Sequence, residues 1–266
     1  MNILDDLKVF ERITFQEKNH LYFIDGLPTN APSVTRLLKQ HKKPFDVDAA
    51  AVRVAKREKV TPEYIKARWA ADNLYSTTIG SLLHKYIENF YCNKNDSCDV
   101  KLDDLTFDNR ETLKKNLPTL VSYFKNFYEE NKEIVHLRSE LILGDVNDTK
   151  ICGMCDMLAY NSKTKKYDLL DFKTNKKMEK ESKYRDYLLY PFEHLSAGHV
   201  NEYTIQLNTY EYLINKYIPD IEIGRKLILW LHPSNPNYRL IQVQTIQDRI
   251  KEMFRLFKTS SLFAET

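Results

Sequence analysis

Three strand-like runs lie close together in this chain, and each carries an acid where an apolar residue would be expected to pack. They are EIVHLRSELIL (133–143), KICGMCDMLAY (150–160) and KKYDLLDFKT (165–174), separated by the polar turns GDVNDT and NSKTK. The acids are Glu140, Asp156 and Asp171. An ionised carboxylate set into an apolar strand is costly unless a cation, a hydrogen-bond donor or a metal meets it. Any fold for this chain must therefore bring compensating groups to these three positions.

The rest of the chain reads as the frame around those strands. Residues 11–25 alternate apolar and polar about EKN, which predicts a β-hairpin. Ser33 caps a short helix ending near residue 41, a second helix covers 46–59, and Pro62 opens a third. The pattern stays helical towards residue 91, with a break expected near 76–80. Residues 92–108 read as an exposed connection. A helix over 109–131 follows, with Pro118 as a kink or a boundary. After the three strands come a charged segment, a helix over 201–216, the strands KLILWLH and YRLIQVQ, and a closing helix over 246–257. A helical first half followed by βββαββα predicts an α/β fold, a mixed central sheet flanked by helices. The expected division is 1–78, a hairpin and helical region, and 79–266, the core.

Composition narrows the classes. The formal charge of +3 is far from that of a protein that coats nucleic acid nonspecifically, but it is compatible with a local basic groove beside metal-binding acids. No stretch approaches the roughly 20 apolar residues of a membrane helix, and the first residues, MNILDDLKVFERI, put acids where a signal peptide carries bases. A cytoplasmic protein without a membrane partner is the expectation. Four cysteines, Cys92, Cys98, Cys152 and Cys155, are too few for a secreted disulfide scaffold of this length.

Residues two apart on a strand share a face, so Asp171 and Lys173 project together from the end of LLDFK while Phe172 points away. A neighbouring strand can bring Asp156 within metal-bridging distance of Asp171. Phosphodiester hydrolysis at neutral pH needs a hydroxide and neutralised phosphate charge; carboxylate-held Mg²⁺ or Mn²⁺ supplies both, and a lysine offsets the developing charge. A D-x-K triplet alone more often marks a surface ion pair, but here the acids are set in apolar runs. Upstream, Gly80, His84 and Glu88 recur at one-turn spacing, and downstream Gln206 and Tyr210 share that spacing. By themselves these residues suit hydrogen bonding and packing as well.

Taken in order, G-x-x-x-H (Gly80, His84), an acid (Glu140), G-x-x-D (Gly153, Asp156), D-x-K (Asp171, Lys173) and Q-x-x-x-Y (Gln206, Tyr210) resemble the RecB-like branch of the PD-(D/E)xK nucleases. That branch includes helicase-associated nuclease domains, CRISPR adaptation nucleases, a mitochondrial genome-maintenance exonuclease and phage exonucleases. The resemblance spans residues 80–230, and the run SVTRLLKQHKKPF resembles the helical preface of phage-type members. It implies a restriction-endonuclease-like core and a Mg²⁺- or Mn²⁺-dependent exonuclease acting on DNA ends or single strands, working beside recombination or replication proteins. A junction-resolvase-like endonuclease and a catalytically silent DNA binder are the alternatives.

Carried over, His84, Asp156, Asp171 and the carbonyl of Phe172 hold the metal and Lys173 is the catalytic lysine, while Glu140, a candidate catalytic acid, is open between a second metal, a metal-bound water and a simple ion pair. Gln206 and Tyr210 brace the site and touch the DNA backbone. Glu88 is a further candidate for a second metal or a bound water. The proline that names the superfamily is absent: Cys155 precedes Asp156. Some members hold an iron–sulfur cluster, but two cysteines here precede the core and the other two sit in a strand, so no cluster is expected. Lys176, Lys177, Lys180, Lys183 and Arg185 follow the catalytic strand and are expected to meet phosphates, with Tyr184 and Tyr187 stacking on bases.

Overall fold

The computed structural model describes residues 3–97 and 101–264; Cys98 and part of the 92–108 connection lie outside them. After a short helix α1 (Ile3–Asp6), strands β1 (Ile13–Gln16), β2 (Leu21–Ile24) and β3 (Leu27–Pro28) form an antiparallel sheet whose first two strands are the expected hairpin. Helices α2 (Val34–Lys39), α3 (Val47–Glu58), α4 (Pro62–Cys92) and α5 (Phe107–Glu130) follow. Each starts on a side-chain cap: Ser33, Asp46, Thr61 and Thr106 accept the backbone N–H three residues on. Lys59 and Asn93 end α3 and α4 in the left-handed conformation.

Two local expectations need correction. No break occurs at 76–80, because α4 runs unbroken for 31 residues. The Ser76 and Thr77 hydroxyls donate to the carbonyls of Asp72 and Asn73, so the polar cluster is absorbed by the helix itself. Nor does Pro118 divide α5; it is exposed, while Leu113, Leu120, Phe124 and Phe127 anchor the helix on both sides of it.

The second half has the order read from the sequence: β4 (Ile134–Gly144), β5 (Cys152–Asn161), β6 (Lys166–Lys173), α6 (His199–Tyr217), β7 (Ile223–Trp230), β8 (Arg239–Gln242) and α7 (Gln247–Ala264). The five strands form one sheet in chain order, antiparallel except for the parallel β6–β7 pair that α6 connects. The molecule is thus a mixed α/β fold, with helices on both faces of its central sheet. One face packs against α2, α6, α7 and the hairpin through residues such as Leu143, Leu169, Tyr210 and Ile228. The other packs against α4 and α5 through Leu83, Phe124, Leu170 and Phe172. Cys152 and Cys155 are both buried in the first of these clusters.

Gly153 allows one of these close approaches. A Cβ there would lie 2.8 Å from the Tyr210 ring and 2.8 Å from Val34, so its hydrogen lets α2 and α6 seat on β5 together. Gly80 is different: a Cβ would meet only the Thr174 hydroxyl, at 3.5 Å, an ordinary contact. Gly153→Ala should therefore cost about 1–3 kcal/mol by overpacking. Gly80→Ala should be neutral or gain up to about 1 kcal/mol from helix propensity. Thermal melting of the two variants should show shifts of opposite sign, or a fall for Gly153→Ala alone.

Candidate active site

Strand register builds the site. β5 and β6 pair Met157 with Leu170, so the next step along the ladder sets Asp156 opposite Asp171. On the other side of β5, Ser139 pairs with Met157 and Leu141 with Cys155, which leaves Glu140 opposite Asp156. Three acids from three adjacent strands thus stand in one row. Glu140 has φ of +47°, a left-handed conformation that costs a non-glycine residue about 1–3 kcal/mol. The price is local; the carboxylate it aims lies 3.7 Å from the His84 ring.

His84 comes from the opposite direction, on α4, one turn after Gly80. Its Nε2 lies 3.0 Å from the Phe172 carbonyl and 3.8 Å from Asp156 Oδ2, and its Nδ1 faces Glu140. The Phe172 ring meets the imidazole edge-on at 5.7 Å. Asp156 is fixed by the Phe172 N–H, which donates to its Oδ2 at 2.6 Å. Phe172 therefore serves the site with its backbone while its ring packs in the α4–α5 core.

One ligand atom each from His84, Glu140 and Asp156 falls within 4.8 Å of the others. Two carboxylates, a carbonyl and an imidazole are a mixed set of hard and borderline donors for a divalent cation. Asp171 is not in that group of three. It is fully buried, with Lys173 Nζ 2.6 Å from Oδ2 and the Gln206 amide donating to Oδ1 at 3.4 Å. Oδ2 is matched by the lysine's charge but has no aligned hydrogen bond, so this carboxylate keeps capacity for another positive partner. The residues present fit a divalent cation.

The charges support one another. Burial would lower the His84 pKa, but Asp156 and Glu140 outweigh it and raise it to about 9. Burial, with Asp156 alongside, pushes Asp171 up to about 6 against the pull of Lys173. Lys173 is shifted upward: Asp171 and Asp156 overcome its desolvation and hold it as an ammonium.

The remaining sequence candidates fall into place around this centre. Gln206 donates to both Asp171 and the Tyr210 hydroxyl, at 3.4 and 3.0 Å. Tyr210 is 1% exposed, so in this conformation it braces Gln206 and presents no surface to a DNA strand. Glu88 is outside the three-donor group; it pairs with Lys85 at 2.9 Å and Lys94 at 3.8 Å. Lys176, Lys177, Lys180 and Tyr184 lie exposed on the segment leaving β6, with Lys177 3.6 Å from Glu179. One neighbour escaped the sequence reading. Tyr203 places its ring 4.8 Å from Lys173 Nζ and donates its hydroxyl to Asn175, which adds a second contact to the lysine beside Asp171. It lies three residues before Gln206 on α6, and that spacing was the available signal.

A metal entering this site must displace the proton on His84, because without one the imidazole is charged up to about pH 9. Raising the pH removes that competitor. Mn²⁺ affinity, followed by calorimetry between pH 7 and 9, should rise by about tenfold per unit, with one proton released per ion. Asp156→Asn should abolish binding.

Comparisons with known proteins add little to this geometry. No family model matches the chain, and no curated protein does. Among solved structures it is similar to the "putative exonuclease" of Eubacterium rectale, at 13% identity over 70% of this chain, with a TM-score of 0.42. The chain spans 64% of that protein's length. It is also similar to the protein SSO0001, at 13% identity, covering 67% of this chain and 73% of the other, with a TM-score of 0.28.

Proposed function

We propose that this protein is a divalent-metal-dependent deoxyribonuclease, an exonuclease acting on DNA ends or single strands. The observation that supports it best is the gathering of His84, Glu140 and Asp156, beside the ion pair of buried Asp171 with half-buried Lys173. Paired acids alone would suit a structural ion pair. An imidazole and two carboxylates gathered near a half-buried ammonium suit phosphodiester hydrolysis better.

His84, Glu140, Asp156 and the Phe172 carbonyl would hold Mg²⁺ or Mn²⁺, which when bound supplies a Lewis acid for the phosphate and lowers the pKa of water. In the reaction a water oxygen bonds to phosphorus and gives up one proton to solvent, the bond to the departing sugar oxygen breaks, and that oxygen takes a proton back from solvent. Lys173 supplies fixed positive charge where negative charge builds up on the phosphate. Asp171 and Tyr203 keep its ammonium from wandering, Gln206 steadies Asp171, and Tyr210 steadies Gln206. Asp171, the neighbour of Asp156 across the ladder, would also offer an oxygen to the ion. Lys176, Lys177 and Lys180 would bind backbone phosphates on the way out of the cleft, with Tyr184 stacking on a base. The helical region of residues 1–78 would guide the strand, and recombination or replication proteins are the expected company.

Incubation of linear and circular DNA with Mg²⁺ or Mn²⁺ tests this. Loss of linear DNA alone is expected; cut circles would indicate an endonuclease, and no cleavage of either would sink the reading. Asp171→Asn and Lys173→Gln should each reduce cleavage by about 10²–10³-fold. Lys173→Gln should keep its Mn²⁺ affinity within a few-fold, which separates charge compensation from metal binding.

Neutralising Lys176, Lys177 and Lys180 together should weaken DNA binding and flatten its dependence on log salt by about 2–3. An unchanged slope would remove these residues from the interface.

A further inference from the structure

The hairpin brings an aromatic side chain to the catalytic cleft that hydrolysis itself does not require. A cavity of about 480 Å³ opens between the hairpin and α4, with His84 and Glu140 in its lining and Phe15 and Met154 among its other walls. Phe15 is partly exposed and held in place. Its ring packs against Tyr22, its partner across the ladder, at 4.7 Å, and edge-on against His20 at 5.1 Å. Met154 comes from β5, two residues before Asp156.

The charge of the cavity says what suits these walls. Glu17, Glu88 and Glu140 line it with Lys85 and His84; Lys85 is paired with Glu88 and Asp96, and the imidazole faces Glu140. Away from the metal such a surface, its cations already matched by acids, offers a phosphate little. A planar, uncharged group with polar edges suits it better, with its face on the phenyl ring and thioether and its edge towards the Ser81 side. A nucleobase has that chemistry.

We propose that Phe15 and Met154 form a base subsite for the unpaired nucleotide next to the scissile phosphate, so that the enzyme selects strands by whether their bases are free. In a duplex both faces of a base are covered by its stacking neighbours, and exposing one costs unstacking and unpairing. That cost is least in a single strand. Stacking on an aromatic ring tolerates any base, so the selection is by strand state and not by sequence. The substrate class is then single-stranded DNA, or a duplex with a single-stranded end. This inference rests on the nuclease reading above for its placement next to cleavage, although base binding can be measured without it.

The test uses single-stranded oligonucleotides that are intact or abasic at the terminal nucleotides. Affinity is measured by fluorescence anisotropy in EDTA, and kcat/KM with Mn²⁺. The intact strand should be favoured about tenfold in both. Phe15→Ala should bring both ratios near one, mainly through KM, and Phe15→Trp should preserve them. Met154→Ala, altering a second lining residue contributed by β5, should reduce them in part. Equal treatment of intact and abasic strands by the wild-type protein, or a preference that survives Phe15→Ala, would overturn the subsite while leaving the nuclease reading intact. A base preference that Phe15→Ala removes, in a protein that cleaves nothing with Mn²⁺, would uphold the subsite and overturn the nuclease.

Discussion

Everything in the site follows from placing acids at neighbouring positions of three strands. Glu140, Asp156 and Asp171 stand abreast across β4, β5 and β6, and Asp156 and Asp171 are 8% and 0% exposed. Like charges at that separation repel strongly in a medium of low polarity. The surrounding structure answers with positive charge and donors from three other places: His84 from α4, Lys173 from the tip of β6, and the Phe172 N–H from the backbone. Take those away and the row of acids would not tolerate burial. The helices on the two faces of the sheet are therefore needed electrically as well as for packing.

The two faces divide the work. α4 delivers the imidazole over the edge of its own apolar cluster, with the Phe172 ring as its contact. α6, on the other face, delivers Gln206 to Asp171 and the Tyr203 ring to Lys173. Gly153 lies beneath α6, where the absence of a side chain lets the Tyr210 ring lie close to β5. The glycine three residues before Asp156 thus acts on the site through packing, by setting how deep α6 sits.

Much of this was legible in the sequence. Period-two alternation in LLDFK placed Asp171 and Lys173 on one face, and cap residues with periodic apolar positions located most of the helices to within a few residues. Glu140 was recognisable as an acid in a strand, but not its left-handed backbone, because that conformation is imposed by tertiary contacts on a residue with little intrinsic preference for it. The expected break at 76–80 went wrong for a related reason: serines and threonines signal turns when their hydroxyls seek the backbone, and here the backbone they found was that of the helix. Phe15 could not be connected to the cleft from sequence at all. It lies 125 positions before Glu140, and only the folded hairpin brings the two to one cavity.

The unbroken course of α4 carries a consequence for how the chain can vary. The first half of this helix holds α3 through the small core of Ala51, Ala55 and Ile65, and its second half presents His84. At 31 residues it is a rod about 46 Å long. Inserting one residue between those halves would rotate the imidazole by about 100° relative to α3. Length changes here are tolerable only in near-whole turns, so spacing within this segment is under a mechanical constraint that ordinary surface helices escape.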